Sequence, residues 1–223
     1  MKQDKIITIV LVICLGAGLA QAAKVTTVPV DISSVANTTW CSGEINNCST
    51  YPYGAQTFDG IPYLIPGNAQ GTANNFWSSE IAAGGGSGTV SVTVPINVAK
   101  VKTVYTLMNT LWGTTQSGLI TVTFTGSNGA TWTFDPVGNV NVRDYNSGNT
   151  TNSITCQLPG GVGQSATINA WVNGSGQRLD EQVYELPAAF KSQTLVSMTI
   201  TDSGNTGLQR SFLAAVTVST AVP

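Results

Sequence analysis

The sequence contains no histidine. A Ser-His-Asp or Cys-His catalytic arrangement therefore cannot be assembled, because both need an imidazole as the general base. A zinc site is also disfavoured, since the imidazole ligand is missing and the cysteines are scattered. No glycine-rich phosphate loop ending in Lys-Ser or Lys-Thr occurs. These absences favour a protein that is not an enzyme.

Charged residues are scarce as well. The 223 residues include 9 Lys and Arg and 11 Asp and Glu, which is 9% of the chain, against about a quarter in ordinary globular domains. The net charge of −2 provides no basic surface for a nucleic acid. The polar surface must instead consist of Thr, Ser, Asn, Gln and Gly, which recognise a partner by neutral hydrogen bonds.

Residues 1–22 have the pattern of a secretion signal. Lys2 and Lys5 precede an uncharged apolar run over residues 6–20, and Ala20 and Ala22 give the small-x-small cleavage pattern. The run is shorter than the roughly 20 residues that span a membrane. We therefore expect cleavage before Ala23 and a secreted or periplasmic domain over residues 23–223, with no remaining transmembrane segment.

The remaining cysteines fit an oxidising compartment. Cys41 and Cys48 lie seven residues apart in a loop-like stretch, which predicts a short disulfide. Cys156 is left over. A buried free thiol and an intermolecular disulfide are both compatible with its position in the sequence.

Strand patterns dominate the mature chain. Short β-branched and aromatic segments alternate with Gly- and Asn-rich turns, and Asn128-Gly129 is a hairpin signal. One helical turn is expected at residues 187–191, and the glycines at 84–88 indicate a surface loop. The sequence predicts an all-β fold, a single antiparallel β-sandwich, with strands near residues 24–32, 89–96, 101–111, 119–125, 130–134, 166–172, 179–186, 195–202 and 212–218.

Two short segments concentrate the rare charges beside polar and aromatic residues. The first contains Arg143, Asp144 and Tyr145, and the second contains Arg178 and Asp180. Arg143 with Asp144, or Arg178 with Asp180, could bind sugar hydroxyls through paired hydrogen bonds. The two aspartates could instead contribute to a structural calcium site. A third interpretation is that the arginines and aspartates are ion pairs that brace the loops.

Aromatic residues lie at strand ends and in polar segments. A flat ring beside amides and hydroxyls is the arrangement that binds the apolar face of a sugar. Trp77 and Trp112 are the candidate platforms, whereas Trp132 alternates with threonines and is expected in the core. A pair of carboxylates for glycoside hydrolysis remains an alternative that the sequence cannot assign.

The order of motifs resembles that of galactose-binding-like jelly-roll sandwiches. The motifs are VYTLMNTLWG, VTFTGSNGATWTF, NVRDYN, RLDEQVYELP, LVSMTITDSG and RSFLAAVTV, within residues 28–218. The last two are also similar to the end of carbohydrate-binding modules. The resemblance implies a jelly-roll fold and, by analogy, a binding function.

The expected function is recognition of a neutral glycan or cell-surface polysaccharide by a lectin-like domain, without a cofactor. The candidate contacts are Arg143, Asp144, Tyr145, Arg178 and Asp180, with Trp77 or Trp112 as platform. The first alternative is a structural or adhesive surface protein acting through protein contacts or self-association. The second is a carbohydrate-active hydrolase.

Overall fold

The computed structural model describes residues 26–40, 51–148, 154, 165–204 and 209–220. All nine predicted strands are confirmed, and three short strands are additional. The strands are β1 (Thr26–Val30), β2 (Gly54–Phe58), β3 (Ile61–Ile65), β4 (Trp77–Ser78), β5 (Val90–Ala99), β6 (Val101–Leu111), β7 (Ile120–Gly126), β8 (Thr131–Phe134), β9 (Ser165–Val172), β10 (Arg178–Glu185), β11 (Thr194–Asp202) and β12 (Arg210–Thr220).

Helical structure is minimal, as the sequence predicts. A single turn, α1 (Ser79–Ala82), follows β4, and a 3-10 helix (Ala188–Ser192) occupies the expected helical turn. Neither of these helices, the ones in the described part of the chain, has the length and apolar character that crossing a membrane requires.

Two antiparallel sheets pack face to face. Sheet one has the order β1-β12-β6-β10-β9, with β4 added beside β12, and sheet two has the order β5-β11-β7-β8. Valines and isoleucines at every second position of β5 point inward, while Ser91, Thr93 and Pro95 point outward. This period of two buries one face of each strand of sheet two. The architecture is an antiparallel β-sandwich.

Sheet one is covered on both faces. The antiparallel hairpin β2–β3 lies on the face opposite to sheet two, together with aromatic residues of the flanking segments. This second cluster consists of Trp40, Tyr51, Tyr63, Ile65, Phe76, Leu107, Leu111, Leu179, Phe212, Ala214 and Ala215. Burial on both faces explains why β10 and β12 are buried at almost every position, a pattern expected where neither face meets water.

The turn of the β2–β3 hairpin has a simple sequence origin. Asp59 (φ 47°) and Gly60 (φ 80°) both have left-handed backbone conformations, as a two-residue type I′ turn requires. Asp-Gly is a preferred pair for that turn, so this signal was present in the sequence although our strand prediction did not use it.

Candidate functional site

The segment containing Arg143 runs as an extra strand-like piece between β6 and β10. Pairing of β6 with β10 extends only as far as Leu107 and Glu181. Beyond that point, Thr110 N donates to Arg143 O (3.0 Å), Tyr145 N donates to Thr110 O (2.9 Å), and Arg178 N donates to Tyr145 O (2.9 Å). The two charged clusters are thereby brought together at one end of sheet one.

Arg143 pairs with Asp180, not with its neighbour Asp144. Its Nε and Nη2 donate to Asp180 Oδ2 (2.8 Å) and Oδ1 (2.7 Å). Asn109 reinforces the carboxylate, because its Nδ2 donates to Asp180 Oδ2 (2.6 Å) and its Oδ1 accepts from Asp180 N (2.8 Å). Asp180 is fully buried. A buried carboxylate held by a bidentate guanidinium and an amide is a brace between the two segments.

Asp144 organises the neighbouring loop ends. Its Oδ2 accepts from Gly113 N (2.8 Å) and its Oδ1 accepts from Asn146 N (2.8 Å). The Gly113 contact holds the residue before it, Trp112, whose φ is 48°. Left-handed backbone is unfavourable for a bulky residue, and such strain is concentrated at functional positions. Trp112 is only partly buried and packs at the margin of the second cluster.

Arg178 is the less satisfied of the two arginines. Its Nε donates to the backbone carbonyl of Asp144 (3.0 Å). Its Nη2 is buried, and no described residue forms a hydrogen bond with it. Burial lowers the pKa of Arg178, and the positive charge of Arg143 lowers it further.

Aromatic rings surround this end of sheet one. Tyr145 and Trp171 are partly exposed, and each meets the buried Trp40 edge to face, at ring-centroid distances of 5.7 and 6.4 Å. Trp171 lies opposite Leu179 in the β9–β10 register and next to Arg178 in the sheet. We call this region the aromatic end. It consists of the partly exposed rings of Trp112, Tyr145 and Trp171 and of the charged residues Arg143, Asp144, Arg178 and Asp180.

Trp77 is not part of the aromatic end. It lies on β4, is 3% exposed, and packs in the core between the two sheets. Trp132 stacks on Phe124 against the same core (ring centroids 5.4 Å apart), in agreement with its predicted position. Cys41, Cys48 and Cys156 lie outside the described residues, so the disulfide stays a prediction.

The carboxylate oxygens of Asp144 and Asp180 accept hydrogen bonds from N–H groups. In the part of the chain that the structure describes, no three His, Cys, Asp or Glu residues converge as a metal site would require. The structure therefore offers no observation in favour of the calcium alternative.

Two buried carboxylates were not identified as candidates from the sequence. Asp202 Oδ2 accepts from Ser79 Oγ (2.7 Å) and from Ser211 N (2.6 Å) and Oγ (2.7 Å), and Arg210 approaches its Oδ1 (3.7 Å). Arg210 Nη1 also donates to Gly88 O (3.1 Å), which ties down the glycine-rich loop. Glu181 accepts a hydrogen bond from Tyr63 Oη. Asp202 could have been noticed, because it is the one charged residue of β11. Glu181 has no such signal, since β10 also contains Arg178, Asp180 and Glu185.

No known family model matches the chain, and no curated protein matches it either.

Proposed function

We propose that this protein is a carbohydrate-binding domain that recognises a neutral glycan at the aromatic end. The observation that supports this most directly is the partly exposed Trp112, which is held in a left-handed backbone conformation by the bond from Gly113 N to Asp144 Oδ2. An aromatic ring kept in an unfavourable backbone conformation at a surface is a candidate ligand platform. The galactose-binding-like identity that the motif order implies belongs to the same proposal.

In this proposal the two aspartates position the site and do not touch the sugar. Asp180 is fully buried and Asp144 is 1% exposed, so their oxygens are not accessible to a ligand. The contacts would come from the rings of Trp112, Tyr145 and Trp171, with hydrogen bonds from Arg143 and neighbouring backbone groups. Trp77 has no role, because its ring lies in the core.

The predicted ligand is uncharged. Both carboxylates of the aromatic end face a guanidinium or backbone N–H groups, so this end carries no concentrated charge of one sign. Stacking on partly exposed rings and neutral hydrogen bonds suit a hexose or a neutral polysaccharide.

A glycan array with the wild type, followed by titration calorimetry on the best sugar, tests this proposal. Trp112→Ala is expected to weaken binding about tenfold or more through loss of ring contact. Tyr53→Ala is the matched control, because Tyr53 is an exposed ring (44%) outside the aromatic end. Correctly folded wild type that binds no glycan, or equal losses in the two variants, would exclude this function.

A second candidate function is adhesion or self-association through the outer face of sheet two. Thr199 lies opposite Thr93 on one side and Thr123 on the other, and Thr123 lies opposite Thr133. Hydroxyl pairs are hydrogen bonded across strands, at 3.0 Å for Thr93–Thr199 and 2.9 Å for Thr123–Thr133. This hydroxyl face consists of Ser91, Thr93, Thr121, Thr123, Thr125, Thr131, Thr133, Ser197, Thr199 and Thr201 and carries no charge.

Sedimentation velocity over a range of concentrations tests the second function. A wild type that self-associates, and a Thr93→Lys/Thr133→Lys variant that remains monomeric, would support it, because lysines introduce repulsion between identical faces. Thr57→Lys, at an exposed position of β2, is the control. A wild type that stays monomeric throughout would exclude self-association through this face.

A further inference from the structure

Glu181 is a carboxylic acid buried between sheet one and the β2–β3 hairpin. It lies in the middle of β10, opposite Leu107 of β6 and Ile168 of β9, and is 1% exposed. Its side chain accepts a hydrogen bond from the hydroxyl of Tyr63, a residue of β3 that is itself 1% exposed. The pair joins the hairpin layer to the sheet.

In the described part of the chain, no Lys or Arg forms an ion pair with Glu181. The ion pairs found among the described residues join Arg143 to Asp180 and Arg210 to Asp202. The titratable groups that act on Glu181 are Tyr63 from β3 and Asp59 from the hairpin turn. Across the sheet, burial raises the pKa of Tyr105 of β6, and the nearby negative charges of Glu181 and Glu185 raise it further. All of these groups are neutral or negative, so an ionised Glu181 would be a buried charge without a counter-ion, which is costly.

The proton affinity of Glu181 agrees with this environment. Burial raises its pKa to about 7, the negative charge of Asp59 adds to the rise, and the hydrogen bond from Tyr63 opposes it. Near neutral pH the carboxyl group is therefore divided between a neutral form that suits the apolar layer and a charged form that does not.

The hairpin depends on sheet one for its stability. A two-stranded hairpin is at best marginally stable by itself in water. Besides the Tyr63–Glu181 bond, it is held by Thr217 Oγ1, which donates to Pro62 O (2.6 Å), and by the burial of Ile65 in the second cluster. A change in the Glu181 contact thus alters a large part of the polar attachment of this layer.

We propose that the β2–β3 hairpin is a proton-controlled cover on sheet one, which is docked while Glu181 is protonated and opens more often as Glu181 loses its proton. Opening lets water reach the carboxylate and removes the cost of burying its charge. It also exposes the apolar face of sheet one around Leu107 and Ala215, which the hairpin layer covers in the docked state.

The direction of the effect follows from proton binding. The docked state binds the proton of Glu181 more tightly than the open state, where the carboxyl group returns toward its ordinary value of 4.5. Opening is therefore suppressed at acidic pH and increases about tenfold per pH unit between these two values. Above pH 7 the dependence levels off, because the group is then ionised in both states.

Hydrogen–deuterium exchange of peptides that cover β2 and β3, measured from pH 5 to 9 and corrected for the intrinsic exchange rate, tests the cover. In the wild type we expect hairpin protection to fall at least tenfold between pH 5 and 8, while β11 in sheet two keeps its protection. Glu181→Gln carries a neutral side chain of the same shape, so its hairpin protection should not change with pH.

Two further variants test the same mechanism without removing Glu181. Asp59→Asn removes a negative charge at an exposed position, so the midpoint of the pH transition should move to lower pH. Tyr63→Phe removes the bond that favours the ionised carboxylate, so the midpoint should move to higher pH. A wild-type hairpin whose protection is independent of pH, or midpoints that do not move in these opposite directions, would overturn the proposal even if Glu181→Gln fails to fold.

Discussion

Gly138 packs directly against the backbone carbonyl of Thr114, so closely that a Cβ atom at position 138 would overlap the Thr114 oxygen. Thr114 follows Trp112 by two residues, and Gly138 begins the loop that leads to Arg143. This contact fixes the relative position of the two segments that form the aromatic end.

Substitution of Gly138 should therefore disturb both stability and binding. We expect Gly138→Ala to lower the free energy of unfolding by about 1–3 kcal/mol, because the added methyl group meets backbone that cannot move aside easily. Gly174→Ala is the control, since no atom lies within 4 Å of a Cβ built there, and it should change stability by less than about 0.5 kcal/mol. Urea unfolding of both variants provides the comparison, and equal stabilities would show that the Gly138 contact is not restrictive.

Loss of the Arg143–Asp180 pair should be strongly destabilising when only one partner is removed. Arg143→Met leaves Asp180 as a buried carboxylate with Asn109 as its remaining side-chain partner, at an expected cost of about 3 kcal/mol. The double variant Arg143→Met/Asp180→Asn should be more stable than the single one, because the uncompensated charge is gone. Lys102→Met, at an exposed position in β6, serves as the control for loss of a positive charge.

The backbone strain at Trp112 can be measured by comparing two small side chains. Both Trp112→Gly and Trp112→Ala remove the ring, but only alanine keeps a Cβ at a φ of 48°. The glycine variant should therefore be more stable than the alanine variant by about 1 kcal/mol. Both should lose glycan binding to the same extent. An alanine variant at least as stable as the glycine variant in thermal unfolding would contradict the assignment of strain.

The stability of the whole domain should decrease from acidic to neutral pH. The pKa of Glu181 is about 7 in the folded state, above its ordinary value of 4.5, so the folded state binds more protons between these values. The contribution of Glu181 is fully present below about pH 4.5 and is lost as the pH rises to about 7, with a total of about 3 kcal/mol.

Urea unfolding at pH 5, 6, 7 and 8 checks this dependence. Glu181→Gln should flatten the profile over this range, because the amide side chain does not titrate. A wild-type profile that rises from pH 5 to 7 would contradict the role of Glu181.

Local patterns in the sequence were sufficient for the strands and several turns. The alternation of Val92, Val94 and Ile96 with small polar residues predicted β5, and Asn128-Gly129 predicted the β7–β8 hairpin, because side-chain alternation and turn geometry depend on neighbouring residues alone. The same kind of signal at Asp59-Gly60 would have revealed the β2–β3 hairpin.

The tertiary structure decided which groups the two arginines bind. Arg143 and Asp144 are adjacent in an extended segment, where successive side chains point to opposite sides, so they do not pair with each other. Arg143 instead meets Asp180, and Arg178 binds the backbone carbonyl of Asp144. The sequence indicated that these residues matter, but their pairing depends on the insertion of residues 141–146 between β6 and β10.

Burial of the aromatic residues was also decided by long-range packing. Trp77 and Trp112 have similar polar surroundings in the sequence, yet Trp77 is enclosed between the sheets and Trp112 remains partly exposed. The sequence by itself determined a charge-poor chain of alternating strands without the means for histidine-based catalysis. Which rings reach the surface, and which carboxylates lose contact with water, was determined by the packing of the two sheets, the β2–β3 hairpin and the inserted residues 141–146, because burial depends on residues that are distant in sequence.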